Sequence, residues 1–134
     1  MGDLLMDYNQ ITGTIIADAI QIHKKPGPGL LESVYQNILA YELKKKGLKV
    51  DKEVSISVKW DNITFDIGFR ADLIIDDIII VELKSLEEIK DVHKKQLLTY
   101  LKLTNKQVGL LINFNEAVLK DGITRVVNHF VEDS

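Results

Sequence analysis

The sequence predicts an α/β fold: a mixed central β-sheet flanked by helices, with elements in the order ααβββαββ. Three observations carry this. Apolar residues recur at helical spacing on both sides of a Pro/Gly break near residue 27, then switch to a period of two near residue 54. Two nearly continuous apolar runs, residues 73–75 and 78–81, have the pattern of strands covered on both faces. A strand, a long helix and another strand follow, a right-handed crossover that sets those two strands parallel. Residues 1–134 are expected to form one domain.

The elements follow in order. Ile11, Ile15, Ala19 and Ile22 form a helical stripe, widened by Ile16 and Ile20. The run Lys24-Lys25-Pro26-Gly27-Pro28-Gly29 breaks the chain. Leu31, Val34, Tyr35, Ile38, Leu39 and Tyr41 then continue the helical spacing to Leu43. Lys44-Lys45-Lys46-Gly47 marks a helix end, with cations in the last turn and glycine just beyond. Two helices therefore occupy residues 9–46. Val54, Ile56, Val58 and Trp60 alternate with polar residues as in a half-buried strand, Asp61-Asn62 makes a turn, and Ile63, Phe65, Ile67 and Phe69 resume the alternation. Asp76-Asp77 separates the two continuous apolar runs. Ser85 and Glu88 have the spacing of a capping box opening a helix that runs to Leu103. Residues 108–114 and 123–131 are the last two strands.

Composition limits the function. Hydrophobic residues make up 46% and charged residues 28% of the chain, which excludes disorder, collagen repeats and a coiled-coil rod. Cysteine is absent, so thiolate metal sites and cysteine nucleophiles are excluded. The formal charge of −3 excludes the global basic field of a nucleic-acid coat, so any nucleic-acid contact must rest on local patches or a metal ion. No apolar run approaches the ~20 residues of a membrane span, and no apolar stretch follows a basic start. A cytoplasmic protein without membrane contact is expected.

Five polar residues violate the apolar pattern. Glu82 and Lys84 lie two apart on one strand and share a face; a strand end reaching solvent would also account for them. Asp72 lies across the hairpin. A two-residue loop at Asp76-Asp77 would put Asp72 and Glu82 on opposite faces, whereas a three-residue loop pairs Ile75 with Ile79 and sets Asp72 opposite Glu82. A shared site requires the second register, and that register is expected. Gln96 lies mid-stripe between Ile89, Val92, Tyr100 and Leu103, so it is expected to face the sheet, with Tyr100 four residues on along the same face. Glu32 opens the second helix, where a carboxylate is also favoured by the helix N-terminus alone.

Asp72, Glu82 and Glu32 converging beside Lys84 would suit a hard divalent ion, Mg²⁺ or Mn²⁺, bound through carboxylates, waters and substrate phosphate. Two carboxylates ~5 Å apart repel by roughly 3 kcal/mol at an effective dielectric of ~20, which a bound cation would offset. The implied chemistry is metal-assisted phosphodiester hydrolysis, with Lys84 stabilising charge on the phosphate or orienting water.

Ala71-Asp72, a spacer, then Glu82-Leu83-Lys84 resembles the signature of the PD-(D/E)XK nuclease superfamily. The helix carrying Gln96 and Tyr100 is similar to the QxxxY element of several of its branches, and Gly29-Leu30-Leu31-Glu32-Ser33-Val34-Tyr35 resembles the motif naming the GxxExxY protein family. The resemblance extends from Ile11 to Ile123. It implies a restriction-endonuclease-like core in which Asp72 and Glu82 are metal ligands, Lys84 is catalytic, Glu32 is an acidic residue from the first core helix, and Gln96 orients the site. Ala71 stands where proline is nominal, a position that shapes backbone and carries no chemistry. The resemblance leaves the substrate open between DNA and RNA. A non-catalytic nucleic-acid-binding or protein-interaction module on the same fold is the rival expectation, and a small subunit needing a partner is a third.

Other residues have two readings each. His23 and His93 are either cleft residues or plain part-buried histidines, and Tyr35 is either core or site. Lys90, Lys94, Lys95 and Lys102 share a helix face that could track phosphates or simply be solvated. Leu98 and Leu101, near that polar side, mark a candidate homodimer contact.

Overall fold

The computed structural model describes residues 4–129. Its elements are α1 (Leu4–Lys24), α2 (Glu32–Lys45), β1 (Val50–Trp60), β2 (Ile63–Ile75), β3 (Ile79–Lys84), α3 (Asp91–Leu103), β4 (Val108–Asn113), a 3₁₀ turn (Leu119–Gly122) and β5 (Ile123–Val127). The five strands form one sheet in the order β1-β2-β3-β4-β5. Only β3 and β4 pair in parallel, as the crossover through α3 requires; the other pairs are antiparallel. The fold is the predicted mixed sheet flanked by helices.

Two apolar layers hold it. On one face α1 and α2 bury Ile15, Ala19, Tyr35, Leu39 and Leu43 against Leu73, Ile75, Ile79, Val81, Leu83, Leu110 and Ile112. On the other, α3 buries Leu97, Tyr100 and Leu101 against Ile56, Ile74, Ile80 and Leu111. Alternate residues of β3 and β4 point into opposite layers, so both strands are apolar almost throughout. Gly47 closes α2 in the left-handed region at φ 87°, where its N–H and that of Leu48 reach back to the carbonyls of Lys44 and Leu43.

Several boundaries differ from the sequence reading. In α2 the buried stripe is Tyr35, Gln36, Leu39, Ala40 and Leu43, while Leu31, Val34 and Tyr41 are exposed. Helix α3 begins at Asp91 rather than after Ser85, and its first turn is capped by His93, whose Nδ1 accepts from the Lys90 N–H at 2.9 Å. The Ser85–Glu88 pattern is not used because the 85–86 backbone is bonded to Glu32 and Asn113 instead. Strand β5 ends at Val127; Val131, the expected end, lies outside the described residues.

Candidate active site

The loop between β2 and β3 decides whether a site exists. It has three residues. Asp76 and Asp77 take left-handed conformations at φ 51° and 61°, the Ile78 N–H donates to the Ile75 carbonyl at 3.1 Å, and Asp76 Oδ1 accepts from the Lys49 N–H at 2.8 Å. The register is therefore Ile75 with Ile79, Ile74 with Ile80 and Leu73 with Val81. One step further, Asp72 lies opposite Glu82, on the α3 face that Ile74 and Ile80 share. Across β1, Glu53 takes a left-handed φ of 51° at the level of Asp72. The ladder turns there, so Leu73 packs under α1 and α2 while Ala71 and Phe69 pack under α3.

Glu82 is 4% exposed and its Oε1 is buried with no hydrogen-bond partner among the described residues. Asp72 is half-buried and its Oδ2 accepts from the Leu83 N–H at 2.8 Å. Burial, then the hydrogen bond to Asp72 and the Asp72 charge, push the Glu82 carboxyl up to about 9 against the opposing pull of Lys84. Without an ion, the Glu82 carboxyl is thus held towards its protonated form. Tyr100, buried on α3, has its hydroxyl pushed up first by burial and then by the charges of Glu82 and Asp72. Its ring meets Phe69 edge-on at 5.5 Å. Lys84, half-buried at the end of β3, follows Glu82 by two residues on the same face.

The backbone just after Lys84 is held from two sides. Glu32, the first residue of α2, accepts from the Ser85 N–H through Oε1 at 2.9 Å. Asn113, fully buried, accepts from the Leu86 N–H at 3.0 Å and donates to the Leu86 carbonyl at 2.8 Å. The Phe114 N–H donates to the Lys84 carbonyl at 2.8 Å, extending the β3–β4 ladder. Sequence reasoning missed Asn113. The signal was there: a polar residue closing the apolar strand, which a buried amide permits only when its partners are fixed.

Three expectations need correction. Glu32 does not converge with Asp72 and Glu82: its carboxylate is taken up by Ser85, and among the described residues no group of three acidic or histidine side chains is arranged to hold an ion. Gln96 is exposed and does not face the sheet, because the buried stripe of α3 is Leu97, Tyr100 and Leu101 rather than one centred on Gln96. Leu101 is fully buried in the α3 layer, so it cannot mark a homodimer contact, and Leu98 is half-buried. Tyr35 is core; its hydroxyl donates to the Gly27 carbonyl and accepts from the Gly29 and Leu30 N–H groups, tying down the turn before Glu32. His23 is buried against Phe114 and His93 is the α3 cap. Lys90, Lys94, Lys95 and Lys102 are exposed as expected.

Two adjacent carboxyl groups, one with a buried oxygen that no donor among the described residues meets, fit a hard cation that completes its shell with water and phosphate. Among the described residues, no helix is long and apolar enough to cross a membrane. A family model of the PD-(D/E)XK nuclease superfamily matches residues 9–126. Compared with curated proteins and with solved structures, the chain matches none. Nucleases of that superfamily generally use divalent metals such as Mg²⁺, which is the chemistry the carboxyl pair suits. The mixed sheet, its flanking helices and the family match agree on a restriction-endonuclease-like fold, and the chain belongs to the PD-(D/E)XK nuclease superfamily.

Proposed function

We propose that the chain is a cytoplasmic, single-domain, divalent-ion-dependent nuclease of the GxxExxY kind, hydrolysing phosphodiester bonds in DNA or RNA. The observation that carries this is the Asp72–Glu82 pair beside Lys84, with a buried Glu82 oxygen that no donor among the described residues satisfies. Such an atom is costly to bury unless something positive meets it. Asp72 and Glu82 would hold Mg²⁺ or Mn²⁺, which supplies Lewis-acid polarisation of the phosphoryl oxygen and a lowered pKa for bound water. Lys84 places its ammonium where negative charge grows on the phosphate. Tyr100 covers the pair from the α3 side and keeps bulk water from it. Glu32 acts as a positioning residue: by holding the Ser85 N–H it fixes the backbone that follows Lys84. Gln96, exposed one turn before Tyr100, is free to meet substrate rather than the ion.

The test is cleavage of plasmid DNA, single-stranded DNA and RNA by the purified chain, with Mg²⁺, Mn²⁺ or a chelator. Cleavage should require the ion and disappear in Glu82→Ala and Lys84→Ala. Cleavage that survives both substitutions contradicts the proposal. Ion binding without hydrolysis of any of the three substrates would favour a non-catalytic module on this fold.

A further inference from the structure

The β1–β2 hairpin runs past the carboxyl pair. β1 has 11 residues and β2 has 13, against 6 in β3. Because β2 is antiparallel to β3 and pairs Leu73 with Val81, Ile74 with Ile80 and Ile75 with Ile79, the earlier part of β2, residues 63–69, leads past the end of β3. At ~3.3 Å per residue that arm is roughly 20 Å long.

Its apolar side chains share a face. Ile56 is opposite Phe69, Val58 opposite Phe65, and Trp60 opposite Ile63, and along β1 the three alternate with polar residues. The first pair is still covered by α3, with Phe69 against Tyr100. Beyond the helix nothing among the described residues covers the strip: Phe65 is 39%, Ile63 57% and Trp60 71% exposed. The strip therefore starts at Phe69, against Tyr100, and ends at an open indole. On the same side of the sheet, α3 exposes Lys95 and Lys102, while Lys94 lies at the opposite edge with Glu116, Asp121 and Thr124.

We propose that this face is a stacking platform for the unpaired bases of a single-stranded nucleic acid whose backbone lies at Asp72, Glu82 and Lys84. The proposal rests on the nuclease reading above. An exposed strip of aromatic and apolar side chains is a surface on which unpaired bases can stack, since every base offers a π-face. A paired duplex hides those faces and would leave Trp60 and Phe65 unused. A second copy of the chain is a poorer occupant, because three exposed side chains fall well short of the ~800 Å² per partner of a stable interface.

Trp60 is the single tryptophan of the chain, so its fluorescence reports the platform directly. The full chain, without divalent ion, is titrated with oligothymidylate, oligouridylate and a blunt duplex of equal length. Single strands should quench Trp60 and the duplex should not. Trp60→Ala and Phe65→Ala should each weaken single-strand binding, read by anisotropy of a labelled oligonucleotide, about 5- to 150-fold. Both positions are solvent-exposed, so the variants retain their core. Equal single-strand affinity in wild type and Trp60→Ala overturns the proposal. So does equal quenching by the duplex, or a Trp60→Ala variant that dissociates a dimer without changing oligonucleotide affinity. The two readings separate cleanly: Trp60 quenching in a protein that cleaves nothing contradicts the nuclease reading, and ion-dependent cleavage with no change in Trp60→Ala affinity contradicts the platform alone.

Discussion

Raising the pH from 6 to 8 should tighten divalent-ion binding to the Asp72–Glu82 pair about 100-fold. Glu82 is buried, and its carboxyl is pushed up to about 9 by that burial first and by Asp72 second. An ion must bind the carboxylate, so each ion taken up below that pH expels about one proton. Three pH units below that value roughly one molecule in a thousand has Glu82 ionised, and one unit below it roughly one in ten. The difference corresponds to about 2.7 kcal/mol of apparent binding free energy. Titration calorimetry with Mn²⁺ and Mg²⁺ at both pH values measures the affinity, and two buffers of different ionisation enthalpy give the proton count. Glu82→Gln should abolish the proton release together with most of the binding. Wild-type affinity that is flat between pH 6 and 8, with no proton released, would refute the idea that the ion displaces a proton from Glu82.

The same proton governs stability. With its folded-state value above the ordinary 4.5, Glu82 contributes fully below that value and its contribution is lost as pH rises towards about 9. With a chelator present, Glu82→Gln should therefore be more stable than wild type at pH 8, by about 5 kcal/mol in urea denaturation, with the gap closing at pH 4. Glu32→Gln keeps an oxygen for the Ser85 N–H and should lower cleavage only a fewfold, whereas Glu32→Ala should lower kcat about 100-fold with KM little changed; equal losses in the two variants would favour a ligand role instead. Asn113→Ala strips the Leu86 N–H and carbonyl of their buried partners and should cost about 2–4 kcal/mol, seen as a lowered urea midpoint.

The part of the site that rests on one hairpin was legible in the sequence. Asp76-Asp77 announced the break, and only the three-residue loop let two acidic residues share a face; the left-handed pair of aspartates makes that loop. Periodicity failed where apolar residues face solvent. Val92 is 63% exposed, and counting it with Leu103 as core rotated the α3 stripe until Gln96 seemed to be its centre. The same error in α2 enlisted Leu31, Val34 and Tyr41 and overlooked the buried Gln36. Other features depend on distant bonds that no local pattern carries. Glu32 finds its partner 53 residues away, and Asn113 reaches back 27 residues to Leu86. Those bonds hold the 85–86 backbone, which is why a well-formed capping pattern at Ser85 and Glu88 starts no helix there.

Anomalous scattering from Mn²⁺-soaked crystals, collected near pH 8, tests the ion site most directly. A single peak bridging the Asp72 and Glu82 carboxylates, lost in Glu82→Gln, is the expected result. A peak anywhere else, or none between those two side chains at saturating Mn²⁺, would contradict it.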